Sequence, residues 1–145
     1  MFAKCTPVTI THEFGARFSA TIRSHEVRMD QPVGNGGDDS APTPVDLVVG
    51  ALGGCVALYT RRFLLNHELS PAGLEVDVEQ RAMPRDGRRG AFAITVRVPV
   101  ALTVRQRELL ERVIRACPVH TMLECASTIS LEIESLEITP AFALA

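Results

Sequence analysis

The chain has 145 residues, 22% of them charged and 46% apolar, with a formal net charge of -2. That length suits a single domain over residues 1–145 with a core of its own, and the composition excludes general disorder. The charge offers no electrostatic case for a nucleic-acid partner or an anionic membrane surface, and the low aromatic content, with no Trp, excludes a base-stacking platform.

The first residues, Met1 to Pro7, contain no apolar h-region, so no secretory leader is expected and the default setting is cytoplasmic and reducing. Val8, Ile10, His12 and Phe14 alternate with Thr9, Thr11 and Glu13, and after Gly15-Ala16 the alternation resumes at Phe18, Ala20 and Ile22. This pattern predicts a β-hairpin with a two-residue turn opening on Gly. A short third strand from His25 to Met29 follows. From Asp30 to Pro42 the chain is rich in Gly, Asp and Pro and is expected to be a loop. It lacks the Lys-Ser or Lys-Thr ending of a phosphate-binding loop, and its glycines do not follow a strand at dinucleotide spacing.

Thr43 is placed to cap a helix that begins at Pro44, whose backbone is already set for the first helical position, with Asp46 at the third. No side chain from Leu47 to Tyr59 is charged, which predicts a helix buried on every side. The uncharged run is shorter than the roughly 17 to 25 residues of a membrane span, so no membrane partner is expected. Gly50, Gly53 and Gly54 each cost about 1 kcal/mol relative to Ala in a helix interior. They imply the close approach of another backbone or of a substrate beside Cys55, or simply tight packing between helices. Taken alone, Cys55 reads as a small buried hydrophobe. The helix turns polar at Thr60-Arg61-Arg62 and is expected to end between Asn66 and Leu69, before Pro71.

Leu74 to Ala82 and Phe92 to Val98 alternate as two antiparallel strands with one wet face, joined by Pro84 to Gly90 with a solvated tip at Arg85, Arg88 and Arg89. Thr103 and Gln106 form a capping box ahead of the stripe Leu109, Leu110, Val113 and Ile114, an amphipathic helix over a sheet face. That helix meets Cys117-Pro118, where the residue before proline is driven out of helical geometry. Pro118 opens a short helix to Leu123, with Cys117 as its N-cap. A last strand is expected through Ile129, Leu131, Ile133, Leu136 and Ile138, with a bulge around Ser135. The order describes one α+β domain. A chain this short has little material to surround a helix that is apolar all round, so a second copy, and hence an intimate homodimer, is expected.

In a reducing setting Cys5, Cys55, Cys117 and Cys125 are not read as a disulfide framework. Cys117 at a helix N-cap faces unpaired N–H groups and the positive end of the dipole, which predicts a lowered pKa and a nucleophilic thiolate. His120 either adds positive charge or acts as a base there, or is incidental to the same turn. Cys117-x-x-His120 with Cys125, and Cys55 or Cys5, also counts to a tetrahedral zinc site, but the spacing is only half of a zinc signature. Cys5 and Cys125 are read as structural or incidental.

Asp30-x-Pro32, Gly36-Gly37-Asp38, Pro42-Thr43-Pro44, Asp46-Leu47, Ala51-Leu52-Gly53-Gly54-Cys55 and Ala116-Cys117-Pro118-Val119-His120 with Leu123 together resemble the OsmC/Ohr superfamily, and most closely its OsmC-like branch. The resemblance spans nearly the whole chain. It implies an OsmC-like fold, with antiparallel sheets wrapped around long buried helices in an intertwined homodimer and active sites at the interface. It further implies a thiol-dependent peroxidase acting on organic hydroperoxides, with Cys55 oxidised to a sulfenic acid and Cys117 resolving it as a disulfide. No metal, flavin or other cofactor is implied, and a dithiol or a lipoylated protein would be the reductant. Family peroxidases hold the thiolate with an Arg and a Glu. Arg17 lies near the expected place for the first, with Arg23 and Arg28 as competitors. Val45 stands where the Glu falls, and Asp46 supplies a carboxylate one residue later, about 100° further round the helix. The alternative is a non-catalytic dimeric module that holds an apolar small molecule, with Cys55 a packing residue.

Overall fold

The computed structural model describes residues 7–82, 90–125 and 129–134. Strands β1 (Thr9–Phe14), β2 (Arg17–Ile22) and β3 (His25–Met29) form an antiparallel meander. The Gly15-Ala16 turn falls where the sequence places it, and Gly15 supplies the positive φ of 54° that the turn requires. Ile10 pairs with Ala20 and Ala20 with Val27, while Phe18 pairs with His12 and Met29, so these residues share one face. In the single chain much of that face is open: Ile10 and Phe18 are exposed and Ala20 alone is buried.

The next segment is a loop built around one carboxylate. Asp30, only 1% exposed, receives N–H bonds from Gln31 (2.8 Å), Asp38 (3.2 Å) and Ser40 (3.1 Å), and the Ser40 hydroxyl at 2.6 Å. Gly37 has no freedom to carry a side chain. A Cβ there would lie 1.9 Å from the Gln31 carbonyl oxygen, so Gly is required by close approach.

Helix α1 (Pro44–Asn66) starts with the capping box read from the sequence: Thr43 accepts from the Asp46 N–H, and the Asp46 carboxylate accepts from the Thr43 N–H. Its burial departs from expectation. Leu52, Val56, Thr60, Phe63 and Leu64 are buried, while Val45, Val48, Leu58 and Leu65 are exposed, so within one chain the helix is covered on one face only. The reason is the supply of elements. Among the described ones, those that pack on α1 are β4 (Glu75–Ala82), α2 (Val104–Arg115) and α3 (Pro118–Glu124). The span estimate is also corrected: the helix runs to 23 residues and is, by length and composition, long and apolar enough to cross a membrane. Its buried stripe is nevertheless the core of this domain.

β4 pairs antiparallel with β5 (Ala91–Arg97), bringing Val76 opposite Val96 and Val78 opposite Ile94. The tip predicted around Arg85, Arg88 and Arg89 lies outside the described residues. α2 carries its expected Thr103–Gln106 capping box and buries Leu110 against Phe63 and Leu64, with Val113 and Ile114 beside them. Each such side chain contributes about 1.5–3 kcal/mol when fully removed from water. The expected last strand is not seen in its described part: residues 129–134 pair with nothing regular, and Ile129, Leu131 and Ile133 are 88%, 84% and 83% exposed. Their alternation is that of a strand, but among the described residues they join neither the β1–β3 nor the β4–β5 sheet. The bulge at Ser135 and the residues Leu136 and Ile138 fall outside the described residues. So does Cys5.

Four donors hold Asp30 ionised, led by the Ser40 hydroxyl, and lower its pKa from 3.8 to about 2. Its stabilising contribution is therefore complete above about pH 4 and is lost as pH falls from about 4 to 2. Urea midpoints measured across that range are expected to fall steeply for the native chain. Asp30→Asn should be less stable at pH 7 and show a flatter acid limb.

Candidate functional site

The break between α2 and α3 is what aims Cys117. Its backbone is extended (φ -66°, ψ 137°), as the following Pro118 demands, and its N–H still bonds to the Ile114 carbonyl at 3.0 Å. The side chain thereby leaves the helical path and enters the domain, where it is fully buried. It caps α3 by accepting the His120 N–H at 3.4 Å, and its Sγ lies 2.9 Å from Cys55 Sγ on α1. That separation is about 0.9 Å longer than a disulfide bond of about 2.05 Å. The two thiols are free, Cys55 partly exposed and Cys117 buried.

The electrostatics of Cys117 reverse the sequence expectation. Burial pushes its thiol pKa up, and the hydrogen bond with Cys55 adds to this, while the His120 and Val119 N–H groups pull the other way. Helix-start donors are present as expected, but dehydration outweighs them. Cys117 is thus held as a thiol, donating toward the more accessible sulfur of Cys55.

Of the glycines around Cys55, Gly53 alone meets a neighbour, since a Cβ there would lie 3.2 Å from a Val78 methyl; Gly50 and Gly54 face open space. Beside them an open groove of about 550 Å³ runs along Gly54, Ala57, Leu58, Arg61, Ala72 and Leu74, and neither sulfur lines it. The His120 ring meets the Glu124 carboxylate at 3.0 Å through Nε2, and its buried Nδ1 has no partner among the described residues. No group of three or more His, Cys, Asp or Glu that could hold a metal gathers among the described residues.

The charged residues named from the sequence lie elsewhere. Arg17 begins β2, with its guanidinium 4.4 Å over the Phe14 ring and one terminal nitrogen donating to Ser40 Oγ at 2.5 Å. Arg28 pairs with Glu26 and Glu13 at the surface, and Arg23 occupies the β2–β3 turn with φ 56°. Asp46 is corrected as a partner of Cys55 in its own chain. Nine positions along a helix place it about 13.5 Å away along the axis and about half a turn round, and its Oδ2 is taken up by the Thr43 N–H and hydroxyl. Among the described residues, neither Arg17 nor Asp46 bonds to a cysteine sulfur. Asp30 enters the sequence reading only as part of the Asp30-x-Pro32 motif, and Ser40 not at all, because their roles depend on a loop closing on itself.

A sequence model of the OsmC-like protein family matches residues 37–132. A protein from Psychrobacter arcticus 273-4, named for osmotic-stress induction and detoxification, superposes with a TM-score of 0.70 at 25% identity over 83% of this chain and 89% of that one. A Legionella pneumophila structure named organic hydroperoxide resistance protein OsmC gives a TM-score of 0.59 at 15% identity, covering 82% and 90% of the two chains. An organic hydroperoxide resistance protein from Elizabethkingia anophelis gives 0.57 at 16% identity, covering 83% and 89%. No curated protein matches the chain in sequence.

Cys117 combines full burial with a raised pKa, whereas Cys125 is exposed. Iodoacetamide at pH 7, followed by peptide mass spectrometry, is expected to label Cys125 and then Cys55 well before Cys117, by about tenfold or more in rate for the last, because the thiolate is the reacting form. Raising the pH should narrow the gap.

Proposed function

The chain belongs to the OsmC-like protein family, and from that premise we propose that it is a thiol-dependent peroxidase that reduces organic hydroperoxides. The observation that carries the proposal is the 2.9 Å approach of Cys55 and Cys117 sulfurs, one partly exposed and one buried and protonated. The Cys55 thiolate attacks one peroxide oxygen, the O–O bond breaks, and the departing alkoxide takes up a proton as the alcohol, leaving Cys55 as a sulfenic acid. The Cys117 thiol then attacks that sulfur; its proton leaves with the hydroxyl as water, and a disulfide remains. Two electrons from a dithiol, small or lipoyl-borne, return both cysteines to thiols. The residues needed for this cycle are two thiols and a cation, and no cofactor enters it.

In this reading Arg17 is the cation that steadies the thiolate, and it reaches Cys55 from a second copy of the chain. Among the described elements of one chain, the main contacts of α1 are with β4, α2 and α3 rather than with the β1–β3 meander. The open face of α1 with Val48 and Leu58, the exposed Ile10 and Phe18 of the meander, and the unpaired Ile129, Leu131 and Ile133 supply apolar surface for a homodimer. Sedimentation equilibrium at micromolar concentration is expected to give about twice the chain mass of 15.8 kDa. A monomer would remove the route from Arg17 to Cys55.

A second reading is favoured by the apolar groove along Gly54, Leu58 and Leu74: a non-catalytic dimeric module that holds an apolar small molecule. One experiment separates the two. With stoichiometric cumene hydroperoxide, disulfide mapping is expected to find Cys55 joined to Cys117, and Cys55→Ser to lose peroxide consumption by at least about 10²-fold, the loss of a covalent nucleophile. Peroxide consumption by Cys55→Ser at the native rate would leave the binding module standing.

A further inference from the structure

We propose that Ser40 is a positioning residue for Arg17, fixing the guanidinium through a directed hydrogen-bond chain that ends on the buried carboxylate of Asp30. The inference rests on the reading of Arg17 as the cation serving Cys55. Its direction follows from the number of protons available. Ser40 has one hydroxyl proton, and a carboxylate only accepts, so the proton points to Asp30 Oδ2 at 2.6 Å. A lone pair is left for the Arg17 terminal nitrogen at 2.5 Å. The Ser40 N–H also bonds Oδ2, at 3.1 Å, which pins the residue at two atoms. Asp30 is in turn held by the Gln31 and Asp38 N–H groups, and its own N–H bonds the Pro42 carbonyl. Ser40 therefore has little freedom to turn away.

The arrangement differs from an ion pair in what it does to charge. A carboxylate bonded directly to Arg17 would offset much of the cation's field. Here the Asp30 carboxylate is one hydroxyl removed, and the guanidinium rests on a neutral oxygen and the face of Phe14. Its Nε–H is buried and has no acceptor among the described residues. An unpaired buried donor is costly. The Ser40 bond and the Phe14 face fix the plane of the guanidinium, and with it the direction of the terminal N–H groups that Ser40 leaves free.

Stopped-flow oxidation of Cys55 by cumene hydroperoxide tests this in five proteins: native, Ser40→Ala, Ser40→Thr, Arg17→Ala and the double variant Arg17→Ala with Ser40→Ala. Ser40→Ala is expected to react about tenfold more slowly, and Ser40→Thr, which restores the hydroxyl, to lie within about threefold of native. Because Ser40 acts through Arg17, Ser40→Ala should add no further loss to Arg17→Ala. An unchanged rate in Ser40→Ala, or the same tenfold loss in both backgrounds, overturns the proposal. Should Ser40→Ala fail to fold, Asp30→Asn takes its place, with a slowing of about threefold confined to the Arg17 background. A second readout does not depend on peroxidase activity: the Arg17 Nε–H signal in ¹⁵N NMR is expected to exchange slowly in native and Ser40→Thr protein and rapidly in Ser40→Ala. If native Cys55 does not react with peroxide, the peroxidase reading fails while this signal still decides the positioning. An Nε–H signal unchanged in Ser40→Ala refutes it.

Discussion

Pro118 cannot continue α2, and that prohibition sets the geometry of the site. With no N–H to donate and a ring that excludes helical backbone from the residue before it, it forces Cys117 into an extended conformation between two helices. The side chain of Cys117 then leaves the direction that a helical residue would take and meets α1 beside Cys55. The sulfur replaces a Ser or Thr as the cap of α3, so one atom both satisfies a helix start and faces the second sulfur. Packing of Leu110 on Phe63 and Leu64 holds α2, and with it the break, against α1.

Burial decides the chemical difference between the two cysteines. A cap position draws a thiol toward ionisation, and dehydration opposes it more strongly for Cys117. The outcome is asymmetric: an enclosed thiol beside a sulfur that solvent reaches. That asymmetry is what a sequential oxidation needs, because the accessible sulfur meets the oxidant first and the enclosed one meets only its neighbour.

A second constraint operates at the other end of the chain. The Asp30 carboxylate gathers four donors and makes the loop before α1 a fixed object rather than a tether, with Gly37 packed where a Cβ would overlap the Gln31 carbonyl. Arg17 is attached to that object through Ser40. The sulfur pair and Arg17 thus belong to different elements, the helical core and the loop with its meander. Each leaves apolar surface open, and a homodimer would cover both.

Local rules made most elements legible in the sequence. Alternation with Gly15-Ala16 places the first hairpin, Thr43-Pro44 and Thr103 with Gln106 place two helix starts, and Cys117-Pro118 places the break, because each depends on neighbours a few residues away. The order of motifs that resembles a family also points to Cys55 and Cys117, whose sulfurs the fold brings together, and to Arg17, which within one chain lies on Ser40 and Phe14 instead. What the sequence could not contain was the balance of long-range terms. Whether α1 is covered on one side or all round depends on how many elements one chain can bring to it. Whether residues 129–134 pair depends on an available edge. The direction of the Cys117 pKa shift depends on how completely water is excluded, and the role of Ser40 on a loop that folds back ten residues to Asp30. Those are properties of the packed chain, where desolvation and contacts between distant residues outweigh the local preferences that the sequence displays.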